Sequence, residues 1–169
     1  MTESKDIFMS AMNWEPPQRF IKRLQSENCW SEEKTLLAIE EYKKFMFLAA
    51  VCEKAVTPSE EIDQVWHLHI LHMEDYHSYI NDLGRKIYHG PTKGGKIEDV
   101  RYFDQYVYTI SEYSRIFDSN PLEIKEVWPP PDERFKGEFV RIDAETHLII
   151  NKNDYPILTK IIIKILRHL

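Results

Sequence analysis

Ile62-Asp63-Gln64-Val65-Trp66-His67-Leu68-His69-Ile70-Leu71-His72-Met73-Glu74-Asp75-Tyr76-His77 is the stretch on which the fold turns. Continued to Tyr88-His89-Gly90-Pro91, it holds five of the chain's seven histidines: His67, His69, His72, His77 and His89. It starts behind Ser59-Glu60-Glu61, a hydroxyl N-cap followed by two carboxylates where the helix dipole favours them. It stops at Gly84, the residue type that most readily adopts a left-handed cap. These signals predict one long helix over about 60–83. Ile62, Trp66, Met73 and Ile80 recur on one side, with Ile70 and His69 at its edges. Trp66, Ile70, Met73 and Ile80 are therefore expected in the core. Leu68 and Leu71 fall off that stripe, and apolar residues on more than one side predict a helix buried between others.

Asp63 and His67 are four residues apart, so they project the same way from adjacent turns. A carboxylate and an imidazole at that spacing can chelate one ion, as paired histidines do on zinc-protease helices. Two ligands bind weakly, and a third must come from elsewhere. His89 is the best candidate, because it follows the helix across a short loop. His69 and His72, three apart, form a different pair, since His67 and His69 cannot face the same way on a regular helix. Either could still close the site or support it, with Trp66 and Tyr76 beside them. Three nitrogen or oxygen ligands suit zinc or ferrous iron and leave a position open for water, which would permit hydrolytic or oxidative chemistry. The structural alternative is a histidine hydrogen-bonded to a carboxylate, and Asp63–His67 could be such a pair. No HExxH motif, Ser-His-Asp or Cys-His order, or glycine-rich phosphate loop is present, so no catalytic residue is assigned. His77 is expected in solvent, and His147 and His168 are expected to have no part in the site.

Upstream, residues 1–12 read as a loose or short helical lead, and Asn13-Trp14-Glu15-Pro16-Pro17 as a break. A helix is expected over Gln18–Glu27, then a broad-faced central one over Glu32–Glu53 behind the Ser31 cap. Its apolar face carries Leu36, Ile39, Tyr42, Phe45, Met46, Phe47 and Leu48. Downstream, a helix is expected over Glu98–Phe117. Trp128-Pro129-Pro130-Pro131 reads as a boundary or a rigid strap over the surface. Phe139–Ile142 and Leu148–Ile150 read as two short strands, and Tyr155–Leu169 as an apolar helix. The fold class is thus mainly α: a compact multi-helix domain over 1–131, and a small C-terminal β-hairpin plus helix over 132–169 packed on it.

The chain has 169 residues, a formal charge of -6, 43% hydrophobic and 30% charged residues. Nucleic-acid binding needs clustered Lys and Arg and is not expected here. Cys29 and Cys52 belong to no CxxC pair, which argues against a disulfide framework and for reduced thiols in a cytoplasmic protein. The first residues lack a signal-peptide pattern. Membrane contact is not favoured, because a packed helix explains the apolar C-terminal residues equally well.

Pro58 with Ile62-Asp63-Gln64-Val65-Trp66-His67-Leu68-His69, followed by Tyr76 and His89-Gly90-Pro91, resembles the glycine-rich domain-containing protein family of plants and bacteria. Upstream Tyr42-Lys43-Lys44-Phe45 and downstream Tyr106, Tyr113, Phe117 and Trp128-Pro129-Pro130 add to the likeness, which spans about Trp30–Pro131. It implies a helical domain and marks Asp63, Trp66, His67, His69 and His89 as the family-type positions. It brings no agreed chemistry with it. This chain departs from the pattern in having five glycines and no glycine-rich tail. The leading expectation is a metal-binding helical domain of unknown small-molecule or protein partner, with metal-dependent hydrolysis or oxidation open to it. The alternative is a non-enzymatic interaction domain whose histidines are structural, binding through the Trp-Pro-Pro-Pro strap or the C-terminal helix.

Overall fold

The computed structural model describes residues 2–90 and 96–136. The expected strands, the expected C-terminal helix, His147 and His168 all lie outside the described residues. The described elements belong to the first of the two units into which the chain divides, Met1–Lys136. Among them are seven α-helices and one 3-10 turn, and no strand. The helices are α1 (Thr2–Met12), α2 (Gln18–Asn28), α3 (Glu32–Val51), α4 (Glu60–Leu71), α5 (Met73–Leu83), α6 (Lys96–Phe117) and α7 (Pro131–Arg134). The 3-10 turn is Pro121–Glu123.

The centre of the unit is α3. The Ser31 hydroxyl accepts the Lys34 amide at 3.1 Å, and Glu32 and Glu33 occupy the first turn. Ala38, Ile39, Tyr42, Phe45, Met46 and Leu48 are buried along it, with α1, α2, α4 and α6 packed around. Leu36, expected on this face, is exposed. One carboxylate is also buried here. Glu41 takes the Lys44 ammonium at 2.7 Å and the Trp128 indole N–H at 2.8 Å, so its charge is compensated where it is desolvated.

The long histidine helix is two helices. The chain turns at His72 (φ −88°, ψ 61°), where no glycine or proline demands it. The His72 amide still donates to His69 O at 2.9 Å, and its carbonyl accepts the Tyr76 amide at 2.9 Å, so the turn leaves these backbone groups bonded. Tertiary packing sets the break. While α4 lies on α3, α5 lies on α1, where Tyr79 O–H donates to Ala11 O at 3.2 Å and Leu83 is buried. A straight helix over 60–83 would run about 36 Å and could follow only one of those neighbours. The break resets the helical phase. Met73, expected in the core, is 65% exposed; Leu71 is also exposed, and Ile70 and Ile80 are half-buried. Trp66 and Leu68 are buried. Gly84 ends α5 at φ +63°, and its amide bonds Asn81 O at 3.0 Å.

The Trp-Pro-Pro-Pro segment is not a surface strap. Trp128 is 0% exposed, with its ring near Tyr106 (6.1 Å) and Tyr113 (5.5 Å). Tyr106 O–H donates to Pro129 O at 2.8 Å and ties the segment to α6. A tryptophan with a buried carboxylate to bond is a core residue, whatever the prolines behind it suggest.

Candidate metal centre

The α4 N-terminus is fixed by Ser59, whose hydroxyl accepts the Ile62 amide at 3.2 Å. One turn in, Asp63 points outward. One turn further, His67 stands over it, with Nδ1 3.2 Å from Asp63 Oδ2. After α5 and the Gly84 cap, the chain returns alongside α4 and brings His89 Nε2 to 2.9 Å from Asp63 Oδ1. The His67 and His89 rings lie 4.4 Å apart. One donor atom from each of the three residues falls within 4.8 Å of the other two.

A tetrahedral ion with bonds of about 2.1 Å separates its ligand atoms by about 3.4 Å. The two contacts to Asp63 are slightly shorter than that, so small side-chain rotations would open the space an ion needs. The His67 side chain is 46% exposed, whereas Asp63 and His89 are more covered. The cluster therefore sits on the surface with one side open to solvent.

Trp66 closes its inner side. The indole and the His89 ring lie 4.6 Å apart and nearly perpendicular, at 81°, and the indole also packs on Phe45 of α3. Its N–H donates to the Tyr76 hydroxyl at 3.1 Å.

His69 does not join this cluster. Two residues from His67, it faces inward and is 0% exposed. Its ring stacks on Trp14 at 4.0 Å and meets Tyr42, Tyr76 and Tyr79. Burial lowers its pKa to about 4, with Asp75 opposing, so the ring is neutral. Burial also keeps Tyr42 protonated, and the Tyr42 hydroxyl lies 2.9 Å from Nδ1. The favourable arrangement has Tyr42 donating to Nδ1 and the ring proton on Nε2, 3.4 Å from Asp75 Oδ2. The other tautomer would aim an imidazole lone pair at a carboxylate. At that length the Nε2 contact is electrostatic and falls short of a hydrogen bond, consistent with Nε2 having no hydrogen-bond partner within the protein. Asp75 Oδ2 receives the Trp14 indole N–H at 3.1 Å.

His72 is apart from the cluster as well, sitting at the helix break with its ring against Phe20 at 5.3 Å. His69 and His72, expected to line or support the Asp63–His67 site, are not brought to it as lining: His69 faces the other way and His72 sits at the break. His77 is exposed. Tyr76 stands between the two groups, bonded to Trp66 on one side and packed on His69 on the other.

The box around His69 has no local signature in the sequence. Trp14 reads there as part of a proline break, and Tyr42 and Asp75 come from other helices. A cleft bordered by Glu15, Asp75 and Asp82 lies between the end of α1 and α5 and shares no residue with the Asp63–His67–His89 cluster.

No family model matches the chain, and no curated protein and no solved structure matches it either.

Proposed function

We propose that Asp63, His67 and His89 bind a divalent transition-metal ion, zinc or ferrous iron, and that metal binding is the function of this surface. One observation carries this reading. Donors from two chain segments, 26 residues apart, converge within 4.8 Å on a solvent-facing side of the unit. One carboxylate and two imidazoles form a donor set that both ions accept, and three protein ligands leave a position for water or a substrate. Hydrolytic or oxidative chemistry at that position is part of the proposal; the substrate is not assigned. Asp63, His67 and His89 are also among the positions that the likeness to the glycine-rich domain-containing family marks. A cytoplasmic setting belongs to the same reading, supported by two free cysteines. Among the described residues no helix is long and apolar enough to cross a membrane.

The second reading is an interaction domain with structural histidines. The His69 box favours it for that residue alone. It fits His67 poorly, because a half-exposed Asp–His pair contributes about 1 kcal/mol or less to stability.

Metal analysis of protein purified without a histidine tag, followed by thermal melts with added zinc, iron, manganese or copper, tests the proposal. About one ion per chain, or a melting rise with at least one of these ions, is the expected result. Neither a bound ion nor a shift would return the site to the structural reading.

A further inference from the structure

Tyr76 and Trp66 are ten residues apart. On an uninterrupted helix that spacing separates them by about 15 Å along the axis and turns them about 80° away from each other. They are nonetheless hydrogen-bonded at 3.1 Å, because the break at His72 turns α5 back across α4. The bonded indole packs against the His89 ring, nearly perpendicular to it. Three contacts thus bear on His89: Asp63 Oδ1 at Nε2, the His67 ring at 4.4 Å and the Trp66 ring standing nearly perpendicular to it. Trp66 is held in turn by Phe45 behind it and the Tyr76 hydroxyl at its nitrogen. Burial raises the Tyr76 pKa above its ordinary value, so the phenol stays neutral, and its oxygen accepts the indole N–H.

We propose that Tyr76 is a positioning residue of the metal centre: its hydroxyl fixes the Trp66 ring, and the Trp66 ring sets the plane in which His89 meets the ion. The inference rests on the Asp63–His67–His89 reading and adds residues that touch no metal. It also gives the break at His72 a purpose, since a continuous helix could not bring Tyr76 to Trp66. Partners that orient a ligating imidazole commonly change metal affinity by roughly tenfold to a hundredfold when removed.

The test is cobalt and zinc titration of the full chain, read by affinity, by the visible cobalt bands and by the metal-free melting temperature. Tyr76→Phe keeps the ring and loses the hydroxyl. It should weaken metal binding roughly tenfold or more and alter the cobalt spectrum, and it should also lower metal-free melting, because the covered Trp66 N–H loses its acceptor. Trp66→Phe should weaken binding at least as much, and the double variant should be no weaker than Trp66→Phe, because both act through one hydrogen bond. Tyr79→Phe, which removes a buried hydroxyl from the same helix, should lower melting and leave affinity unchanged.

Wild-type affinity and spectrum in Tyr76→Phe would overturn the proposal, as would a loss confined to melting temperature. Failure of the wild-type chain to take up either ion would instead overturn the ligand reading beneath it.

Discussion

The Asp63 carboxylate and the His89 imidazole lie 2.9 Å apart although 26 residues separate them. Asp63 also faces His67 at 3.2 Å, one turn along its own helix. One carboxylate therefore holds two imidazoles that reach it by different routes, one by helical periodicity and one by the return of the chain after α5.

His89→Ala removes the long-range donor. The pair is partly exposed, so its contribution to metal-free stability should be about 1 kcal/mol or less. Metal affinity should fall far more, because two donors on one helix bind weakly. Chemical denaturation with and without zinc checks this. The zinc-dependent gain in stability should vanish in the variant.

Much of the fold is legible in the sequence where the signals are local. Ser31, Ser59 and Gly84 cap their helices, and the spacing of Asp63 and His67 places them on one face. What escapes a local reading depends on neighbours distant in the chain. The break at His72 follows from α5 packing on α1, and no residue at the break announces it. Met73 changes from core to surface as a consequence. Trp128 reads as a surface strap because three prolines follow it, but Glu41 in α3 waits for its indole N–H. The His69 box is illegible for the same reason, since Trp14, Tyr42 and Asp75 come from three different segments. For the candidate centre, the helical pair could be read from spacing, whereas the arrival of His89 depends on the path of the loop.

Trp128→Phe should separate the N–H from the ring. The variant takes the indole donor away from the buried Glu41, at a cost of about 1–3 kcal/mol. Trp128→Ala should cost more, about 3–5 kcal/mol, because it also empties the space against Tyr106 and Tyr113. Urea melts of both variants give the comparison, and a Trp128→Phe variant as stable as the wild type would show that the Glu41 bond contributes nothing beyond packing.

Acid should act through His69. Its folded pKa is about 4, against an ordinary value of 6.5. Between those values the unfolded chain takes up a proton that the folded chain refuses. Stability is therefore present above pH 6.5 and is lost as pH falls toward about 4, by no more than about 3 kcal/mol from this residue. His69→Gln removes that contribution. The stability gap between wild type and His69→Gln, measured by denaturant melts, should narrow as pH drops from 7 to 4.5. A gap that stays constant would show that His69 is not held neutral by burial.

The central claim is tested most directly by calorimetric titration of zinc into the untagged chain, beside Asp63→Ala, His67→Ala and His89→Ala. The expected result is one ion per wild-type chain, with binding lost or weakened at least a hundredfold in all three variants and retained in His77→Ala. Zinc binding that is absent from the wild type, or that survives unchanged in the three variants, would contradict the assignment.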